Sequence, residues 1–334
     1  MTQDELDDML STPRAETAAA LERCPGDVIV LGAGGKMGPT LTRMAARAAN
    51  GRRRVIAVSR WSSGAAEHAL RNAGVETISC DLLDREAVAR LPDAANVVFM
   101  AGQKFGTTQA AAMTWGMNTL VPANCAERYR ESRIVAFSTG NVYALSPVAS
   151  GGSREQDSPG PIGEYAASCL GRERVFELYA GRFGTRVSIV RLNYAIDLRY
   201  GVLVDVALRV RRGEPVSTDM GYVNVIWQGD ANRAALECLP LASAPPFVIN
   251  VTGAEKLSVR AVAEWFARRF GTTASLTGTE RADALLSDTS RMRATLAEPE
   301  MAVAQMMELV ADWVEQDRPL LGKPTRFEAR DGKF

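Results

Sequence analysis

The sequence predicts an α/β protein in which a doubly wound parallel sheet, a Rossmann fold, carries a smaller C-terminal substrate-binding lobe. Six short apolar runs alternate with helix-like stretches between residues 27 and 191. Runs that are apolar throughout, rather than at every second position, are typical of parallel strands covered by helices on both faces. The first run, DVIVL, leads through a glycine-rich turn into a helix, which is how a βαβ unit of this fold begins.

The elements of the sheet domain follow from these local patterns. Residues 1–26 form a predicted helical extension, because ETAAALERC is rich in helix-forming residues. The predicted strands are 27–31, 54–59, 75–79, 96–101, 133–138 and 186–191. The predicted helices between them are 36–49, 64–73, 84–91, 108–130 and 163–182. These elements define a dinucleotide-binding domain at 27–195.

The rhythm loosens after this domain, and residues 196–334 are predicted to form the smaller lobe, partly interleaved with the sheet domain. Its predicted elements are helices at 200–212, 229–240 and 258–270, a strand at 246–251 and a terminal helix in MAVAQMMELVADWVEQD. The segment 146–163 is rich in Ser, Gly and Pro and precedes a helix, which predicts a mobile active-site loop there.

Composition excludes several classes of function. The 39 basic and 39 acidic residues balance, which argues against nucleic acid or an anionic membrane as the main partner. His68 is the only histidine, so a Ser-His-Asp triad or a histidine-based metal site is excluded. The five scattered cysteines form no C-x-x-C pair, which predicts no zinc site and a reducing, cytoplasmic location. No apolar run approaches the ~18 residues of a membrane span.

The strongest motif is the turn after the first strand, Gly32-x-x-Gly35-x-x-Gly38. Glycine permits a tight turn and a close approach of backbone to a diphosphate. The N-terminus of the following helix adds unpaired N–H groups and the positive end of a dipole. Because this pattern follows an apolar strand and opens a helix, it predicts a dinucleotide cofactor.

The end of the second strand bears on which dinucleotide is preferred. A site for NAD usually has an Asp or Glu there, which holds the ribose 2′-hydroxyl. This chain has Ser59 and Arg60 instead, and an arginine is suited to a 2′-phosphate. We therefore expect NADP in preference to NAD.

Several ordered motifs give the chain its resemblance to the extended short-chain dehydrogenase/reductase superfamily, in the NAD-dependent epimerase/dehydratase group. The motifs are GAGGKMG, CDLLD, VVFMAG, WGMNTLVPANCAE, FSTGNVYA and REQDSPGPIGEYAAS, within residues 27–265. The resemblance implies catalytic roles for Thr139 and Tyr165. It implies cofactor contacts at Gly32, Gly35, Lys36, Met37, Gly38, Ser59, Arg60, Asp81, Leu82, Ala101, Gly102 and Asn118.

One departure from the family pattern concerns catalysis directly. The family has a lysine four residues after the catalytic tyrosine, where this chain has Cys169. A neutral thiol supplies no positive charge to stabilise a tyrosinate, so proton donation by a neutral Tyr165 is favoured over proton abstraction. Arg172 either replaces the missing charge or is a solvated helix residue, and Cys169 is either a catalytic group or a buried packing residue.

Candidate substrate-binding residues are Asn141, Asn193 and Arg199. Asn141 belongs to the Gly-Asn pair that replaces the acidic pair of sugar-nucleotide dehydratases, so that activity is not expected. Asn193 lies close to the family's conserved-motif asparagine. Arg199 follows Tyr194 and precedes Tyr200, and either binds a carboxylate or phosphate or covers a helix start.

These observations favour an NAD(P)-dependent oxidoreductase or epimerase-like enzyme that acts on a small polar substrate, sugar-derived or acidic. Tyr165 would exchange the proton and the cofactor the hydride. The alternative is a catalytically silent NADP-binding sensor or partner-binding protein, and a third is lyase or isomerase chemistry with a resident cofactor. Family members often pair through the helices of Asn118 and Tyr165, so the resemblance also implies a homodimer.

Overall fold

The computed structural model describes residues 1–62, 64–104, 110–323 and 325–333. Its centre is a parallel sheet of seven strands in the order β7-β6-β5-β4-β1-β2-β3. Helices pack on both faces of this sheet. The doubly wound α/β fold is therefore confirmed. The strands are β1 (Val28–Leu31), β2 (Val55–Ser59), β3 (Glu76–Ser79), β4 (Asn96–Phe99), β5 (Arg133–Thr139), β6 (Arg186–Leu192) and β7 (Phe247–Val251).

The central strands are apolar because both of their faces are covered. All four residues of β1 are buried, as are all four of β4. β1 pairs in parallel with β2 on one side and β4 on the other. After β1 the chain adds β2 and β3 on one side of it and then crosses to add β4 on the other side. At this reversal of strand order, a crevice lies at the carboxyl ends of β1 and β4.

Most helices occupy intervals that the sequence predicts, with shifts of a few residues at their ends, but the sequence predicts no separate helix at Gln3–Leu10 or Ser290–Thr295. The helices are α1 (Gln3–Leu10), α2 (Ala15–Glu22), α3 (Gly38–Ala49), α4 (Gly64–Asn72), α5 (Arg85–Ala89), α6 (Ala111–Trp115), α7 (Val121–Arg128), α8 (Gly163–Phe183), α9 (Val202–Arg211), α10 (Gln228–Glu237), α11 (Val259–Phe270), α12 (Ser290–Thr295) and α13 (Val303–Glu315). A π-helical segment, Gly116–Leu120, joins α6 to α7. The predicted start of that long helix, 108 and 109, lies outside the described residues.

The strand predicted for the smaller lobe belongs to the main sheet. β7 pairs in parallel with β6 along its whole length, from Phe247 opposite Ser188 to Val251 opposite Leu192. The sheet therefore includes a strand beyond residue 195, where the sequence predicts the end of the dinucleotide-binding domain. That domain boundary stays a prediction. Local sequence pattern identifies a strand, but its partner is chosen by packing over long sequence distances.

The segment predicted as a mobile loop, 146–163, is tied down by the C-terminal half of the chain. Its strand Ser146–Pro147 pairs in an antiparallel manner with Asp283–Ala284. Further along, the Ser153 N–H donates to the carbonyl of Leu286 over 2.9 Å. These backbone contacts hold the segment against 283–288 and so fix the approach to α8.

The N-terminal extension packs against α3 and against residues that follow β6. Leu6 and Leu10 of α1 are fully buried in the core of the C-terminal lobe. Arg14 donates two hydrogen bonds to the Glu237 carboxylate of α10, at 2.8 and 2.7 Å. None of the helices in the described ranges has the length and hydropathy of a bilayer-spanning segment.

Candidate active site

The glycine-rich turn between β1 and α3 has no room for a side chain at three of its glycines, Gly32, Gly34 and Gly38. Gly32 has φ of +92°, and a Cβ there would lie 2.6 Å from the Ala101 nitrogen. A Cβ at Gly34 would lie 2.5 Å from the Ser59 hydroxyl, and one at Gly38 would overlap the Ala33 carbonyl. The turn thus presents bare backbone at the start of α3, which is the form of a diphosphate cradle.

Two cavities meet at this turn. The outer cavity, of about 220 Å³, contains most of the predicted cofactor contacts, namely Gly32, Gly35, Ser59, Arg60, Asp81, Leu82, Ala101 and Gly102. The inner cavity, of about 210 Å³, contains the adjacent turn residues Lys36 and Met37 together with Thr139 and Tyr165. A dinucleotide that spanned both cavities would lay its diphosphate across the turn, so the residues present fit such a cofactor.

Thr139 and Tyr165 form a hydrogen-bonded unit in the inner cavity. The Thr139 hydroxyl accepts hydrogen bonds from the Asn141 side-chain amide, 3.0 Å away, and from the Asn141 N–H, 3.2 Å away. Tyr165 hydrogen-bonds the side chains of Thr139 and Cys169. Burial, with a smaller contribution from Cys169, raises the pKa of Tyr165 far above its ordinary value. The phenol is therefore neutral, which is the state of a proton donor.

Cys169 lies one helical turn after Tyr165 and is fully buried. Burial raises the pKa of its thiol above the usual value, although Arg172 and Tyr165 partly oppose this shift. A neutral thiol is a poor nucleophile, so the geometry suits Cys169 to accepting a hydrogen bond from the Tyr165 hydroxyl. Its predicted place among the catalytic residues stays a prediction.

Asn118 ties three elements together at the site. It lies in the π-helical segment, a distortion frequent at functional sites. Its side-chain N–H donates to the Gln103 carbonyl at 3.1 Å and to the Ser168 hydroxyl at 2.9 Å. Its oxygen accepts from the Gln103 N–H at 3.0 Å and from Arg172 at 2.5 Å. Asn118 thus fixes the end of β4 against α8.

Arg172 is not a solvated helix charge. Its side chain is buried, and it donates to the Phe137 carbonyl over 2.8 Å as well as to Asn118. Its positive charge lowers the pKa of both Tyr165 and Cys169, although the effect of burial on each is larger. A cation therefore does lie within electrostatic reach of Tyr165, one turn further along α8 than the family's lysine.

Two lysines line the inner cavity, and sequence reasoning gave a role to only one of them. Lys36 donates to the Ala195 carbonyl at 3.0 Å and lies 4.6 Å from the centre of the Tyr200 ring. Lys104 lies 3.4 Å from the Thr325 carbonyl oxygen. Burial lowers the pKa of each ammonium group to about 8. Lys104 follows a parallel strand at its carboxyl end, a position typical of ligand-binding side chains.

The three predicted substrate residues lie in different surroundings. Asn141 and Asn193 line the inner cavity, and the Asn193 side chain donates to Asn224 at 3.1 Å. Arg199 lines a separate cavity and forms ion pairs with Asp7 at 2.8 Å and Asp197 at 3.1 Å. Arg199 therefore holds the N-terminal extension. Of its two predicted roles, covering a helix start is closer to this arrangement than binding a substrate carboxylate or phosphate.

The match to a family model agrees with this geometry. The model of the NAD dependent epimerase/dehydratase family matches residues 28–196, more than half of the chain. The chain belongs to this family. The matched region runs from β1 to the residues just after β6 and includes the glycine turn, Thr139 and Tyr165. No curated protein matches the sequence significantly.

Solved structures of the same fold include several sugar-nucleotide epimerases. The UDP-glucose 4-epimerase of Thermotoga maritima, solved with UDP-glucose, has a TM-score of 0.74 at 19% identity, over 87% of this chain and 99% of that one. The UDP-glucuronic acid 4-epimerase of Bacillus cereus, solved with UDP-glucuronic acid and NAD, has a TM-score of 0.73 at 17% identity, over 87% of this chain and 99% of that one. The Thermus thermophilus UDP-glucose 4-epimerase, solved with NAD, has a TM-score of 0.69 at 22% identity, over 86% of this chain and 98% of that one. At these identities the similarity establishes the fold.

Proposed function

We propose that this family member is an NADP-dependent oxidoreductase or epimerase-like enzyme that acts on a small polar substrate. The observation that carries the proposal is the pair of Thr139 and Tyr165, hydrogen-bonded in a cavity that begins at the glycine turn. The test is to mix the protein with NADP⁺ or NADPH and a panel of sugar acids, polyols and their carbonyl forms, and to follow nicotinamide absorbance. Cofactor binding without turnover on any member of the panel would contradict it.

In the proposed mechanism the chain positions one oxygen of the substrate and moves one proton. A bound nicotinamide supplies or accepts the hydride. Thr139 hydrogen-bonds the reacting oxygen, and Asn141 holds the Thr139 hydroxyl in place. Tyr165 turns its proton from Cys169 to that oxygen when a carbonyl is reduced. Because burial keeps Tyr165 neutral, we expect carbonyl reduction to be faster than alcohol oxidation at neutral pH.

Arg172 is proposed as the cation that acts on Tyr165 in place of the family's lysine. Replacing it with methionine removes the charge that lowers the pKa of Tyr165, so that pKa rises further. Each additional pKa unit means about tenfold less tyrosinate at a given pH. We expect Arg172→Met to slow alcohol oxidation and move its pH profile upward, with less effect on carbonyl reduction.

Arg174→Met is the control for this experiment, because Arg174 lies on the same helix with its side chain 54% exposed. It is expected to leave both pH profiles unchanged. The profiles are compared for protein that is folded by circular dichroism, since Arg172 also holds the Phe137 carbonyl. An unchanged oxidation profile in Arg172→Met would show that Arg172 does not act on Tyr165.

The preference for NADP is proposed from Arg60, which is exposed at the mouth of the outer cavity. Charge-assisted hydrogen bonds contribute about 1.5–3 kcal/mol, and 1.4 kcal/mol is about tenfold in affinity. Arg60→Ala is therefore expected to lower the ratio of NADP to NAD affinity at least about tenfold, as measured by calorimetry. Arg54→Ala, at the other end of β2 and paired with Asp27, is the control. Equal losses of affinity for both cofactors would refute the assignment.

A second candidate is a silent NADP-binding protein, which is favoured by Cys169 at the lysine position. It predicts cofactor binding without turnover and is separated from the first by the Tyr165 variant discussed below. The proposed location is the cytoplasm, on the basis of five cysteines that are all buried and unpaired.

A homodimer is also proposed. Large apolar side chains are exposed on α6, on the π-helical segment that carries Asn118 and on α8, which carries Tyr165, namely Met113, Trp115, Leu120, Leu178 and Phe183. An apolar surface of this kind is typical of protein interfaces. Sedimentation at several protein concentrations tests the proposal.

A further inference from the structure

The C-terminal strap, residues 325–333, forms one wall of the inner cavity. The Thr325 N–H and hydroxyl donate to the Asp205 carboxylate of α9 at 2.8 and 2.6 Å. Phe327, two residues later, is buried in the core of the C-terminal lobe. Thr325 itself lines the inner cavity. The strap is therefore part of the site and is anchored at its first residues.

The strap is also anchored further along and reaches the helix of Tyr165. Arg330 forms an ion pair with Asp283 at 2.5 Å and donates to the Asp219 carbonyl at 3.1 Å. A Cβ added to Gly163, the first residue of α8, would lie 2.6 Å from the Gly332 carbonyl oxygen. The strap thus runs from α9, past the wall of the inner cavity at Thr325, to the start of α8.

The volume of the inner cavity beside the strap limits the size of the ligand. The inner cavity measures about 210 Å³, below the roughly 300–1,000 Å³ of sites that take drug-sized ligands. A nicotinamide ring beside Tyr165 would occupy part of this volume.

The charge of the cavity sets the character of the ligand. Among the described residues that line it, Lys36 and Lys104 are cationic and none is Asp or Glu. Hydroxyl and amide groups, including those of Ser138, Asn141 and Tyr200, line the cavity together with apolar residues such as Met37 and Leu192. Burial lowers the pKa of both ammonium groups, and Asp197 near Lys36 and Asp205 near Lys104 only partly oppose this shift. A bound anion would offset the remaining cost of burial. Lys104 lies beside Thr325, at the end of the cavity that the strap lines.

We propose that the substrate is a compact polyhydroxy acid, not a nucleotide sugar, whose carboxylate or phosphate is held by Lys104 beneath the C-terminal strap. This inference rests on the proposed function, since it places the cofactor across the outer cavity and the turn, with its nicotinamide ring beside Tyr165. Hydroxyl groups on the ligand would meet the polar lining, and the reacting carbon would lie next to Tyr165. The strap makes compactness a requirement for binding.

The test measures binding to the full-length protein saturated with NADP⁺. Calorimetry compares glucitol, gluconate, glucitol 6-phosphate and UDP-glucose. We expect gluconate or glucitol 6-phosphate to bind at least about tenfold more tightly than glucitol, because an ion pair in a buried site adds this much. Whichever of gluconate and glucitol 6-phosphate binds more tightly shows whether the site prefers a carboxylate or a phosphate. We expect no binding of UDP-glucose.

Lys104→Met identifies the contact. It is expected to lower affinity for the bound acid at least about tenfold and to leave NADP⁺ affinity unchanged. Lys333→Met is the matched control, because Lys333 is in the strap with its side chain 69% exposed. Arg330→Glu places like charges at Asp283 and loosens the strap, so binding of UDP-glucose should appear. If that variant does not fold, the comparison of ligands on the unmodified protein decides the question of size.

The outcomes separate this inference from the proposed function. Absence of NADP⁺ binding contradicts the proposed function. NADP⁺ binding together with UDP-glucose binding as tight as that of either acid overturns the inference alone. Equal affinity for glucitol and both acids, or equal effects of Lys104→Met and Lys333→Met, also overturns it.

Discussion

Replacing Tyr165 with phenylalanine is expected to lower turnover by about 10²–10⁴-fold, the usual contribution of a general acid or base. The variant removes one hydroxyl from a buried ring and leaves the glycine turn and the outer cavity intact. Affinity for NADP should therefore be unchanged, so that the loss falls in the rate of the chemical step. Steady-state kinetics on any substrate found by the absorbance panel, together with calorimetry of cofactor binding, measures both quantities.

Tyr179→Phe is the matched control, because Tyr179 is on the same helix, is partly exposed and packs against Phe183 outside the site. It is expected to leave turnover unchanged. The silent-binder alternative predicts that the two variants behave alike, with no change beyond cofactor affinity. Equal activity of Tyr165→Phe and the unmodified protein would remove the phenol from the mechanism.

Replacing Glu173 with alanine is expected to lower the free energy of unfolding by about 3–5 kcal/mol. Glu173 is almost fully buried, and its carboxylate accepts two hydrogen bonds from Arg191, at 3.0 and 2.7 Å. It also accepts one from the Ser138 hydroxyl, at 2.5 Å. Without the carboxylate, the Arg191 guanidinium stays buried with its charge uncompensated. Urea unfolding followed by circular dichroism measures the loss.

Glu177→Ala provides the control on the same helix. Its carboxylate pairs with Arg174 at the surface, and exposed pairs contribute at most about 1 kcal/mol. A second comparison is the double variant Glu173→Leu, Arg191→Met, which removes both buried charges and should recover much of the stability. A loss below about 1 kcal/mol for Glu173→Ala would show that Arg191 finds another partner or water.

The Arg191–Glu173 pair has a consequence for the site as well as for stability. Arg191 is on β6 and Glu173 on α8, and Ser138 on β5 precedes Thr139. The pair therefore holds the helix of Tyr165 against the strand of Thr139. We expect a stable conservative variant, Glu173→Gln, to lose part of the turnover without losing cofactor affinity.

Features that depend on nearby residues could be predicted from the amino-acid sequence alone. The glycine spacing and the apolar runs predict β1, the turn and α3, because backbone sterics and burial on both faces act locally. Helical periodicity places Tyr165 and Cys169, at i and i+4, on one face of α8. The resemblance to the family shows that Cys169 stands where a lysine is usual. For the same reason the family and the fold class could be predicted from motifs in order.

Contacts between residues far apart in the sequence could be seen only in the folded structure. Lys104 and Thr325 are separated by 221 positions, and neither belongs to a motif that predicts the contact. β7 joins β6 rather than a sheet of its own lobe, and Arg172 turns inward under β5 instead of into solvent. In each case the choice depends on which surface buries most area and satisfies most polar groups, a comparison made between whole elements. The local sequence pattern does not show which elements pack together. The size and charge of the inner cavity could therefore be obtained only from the folded chain.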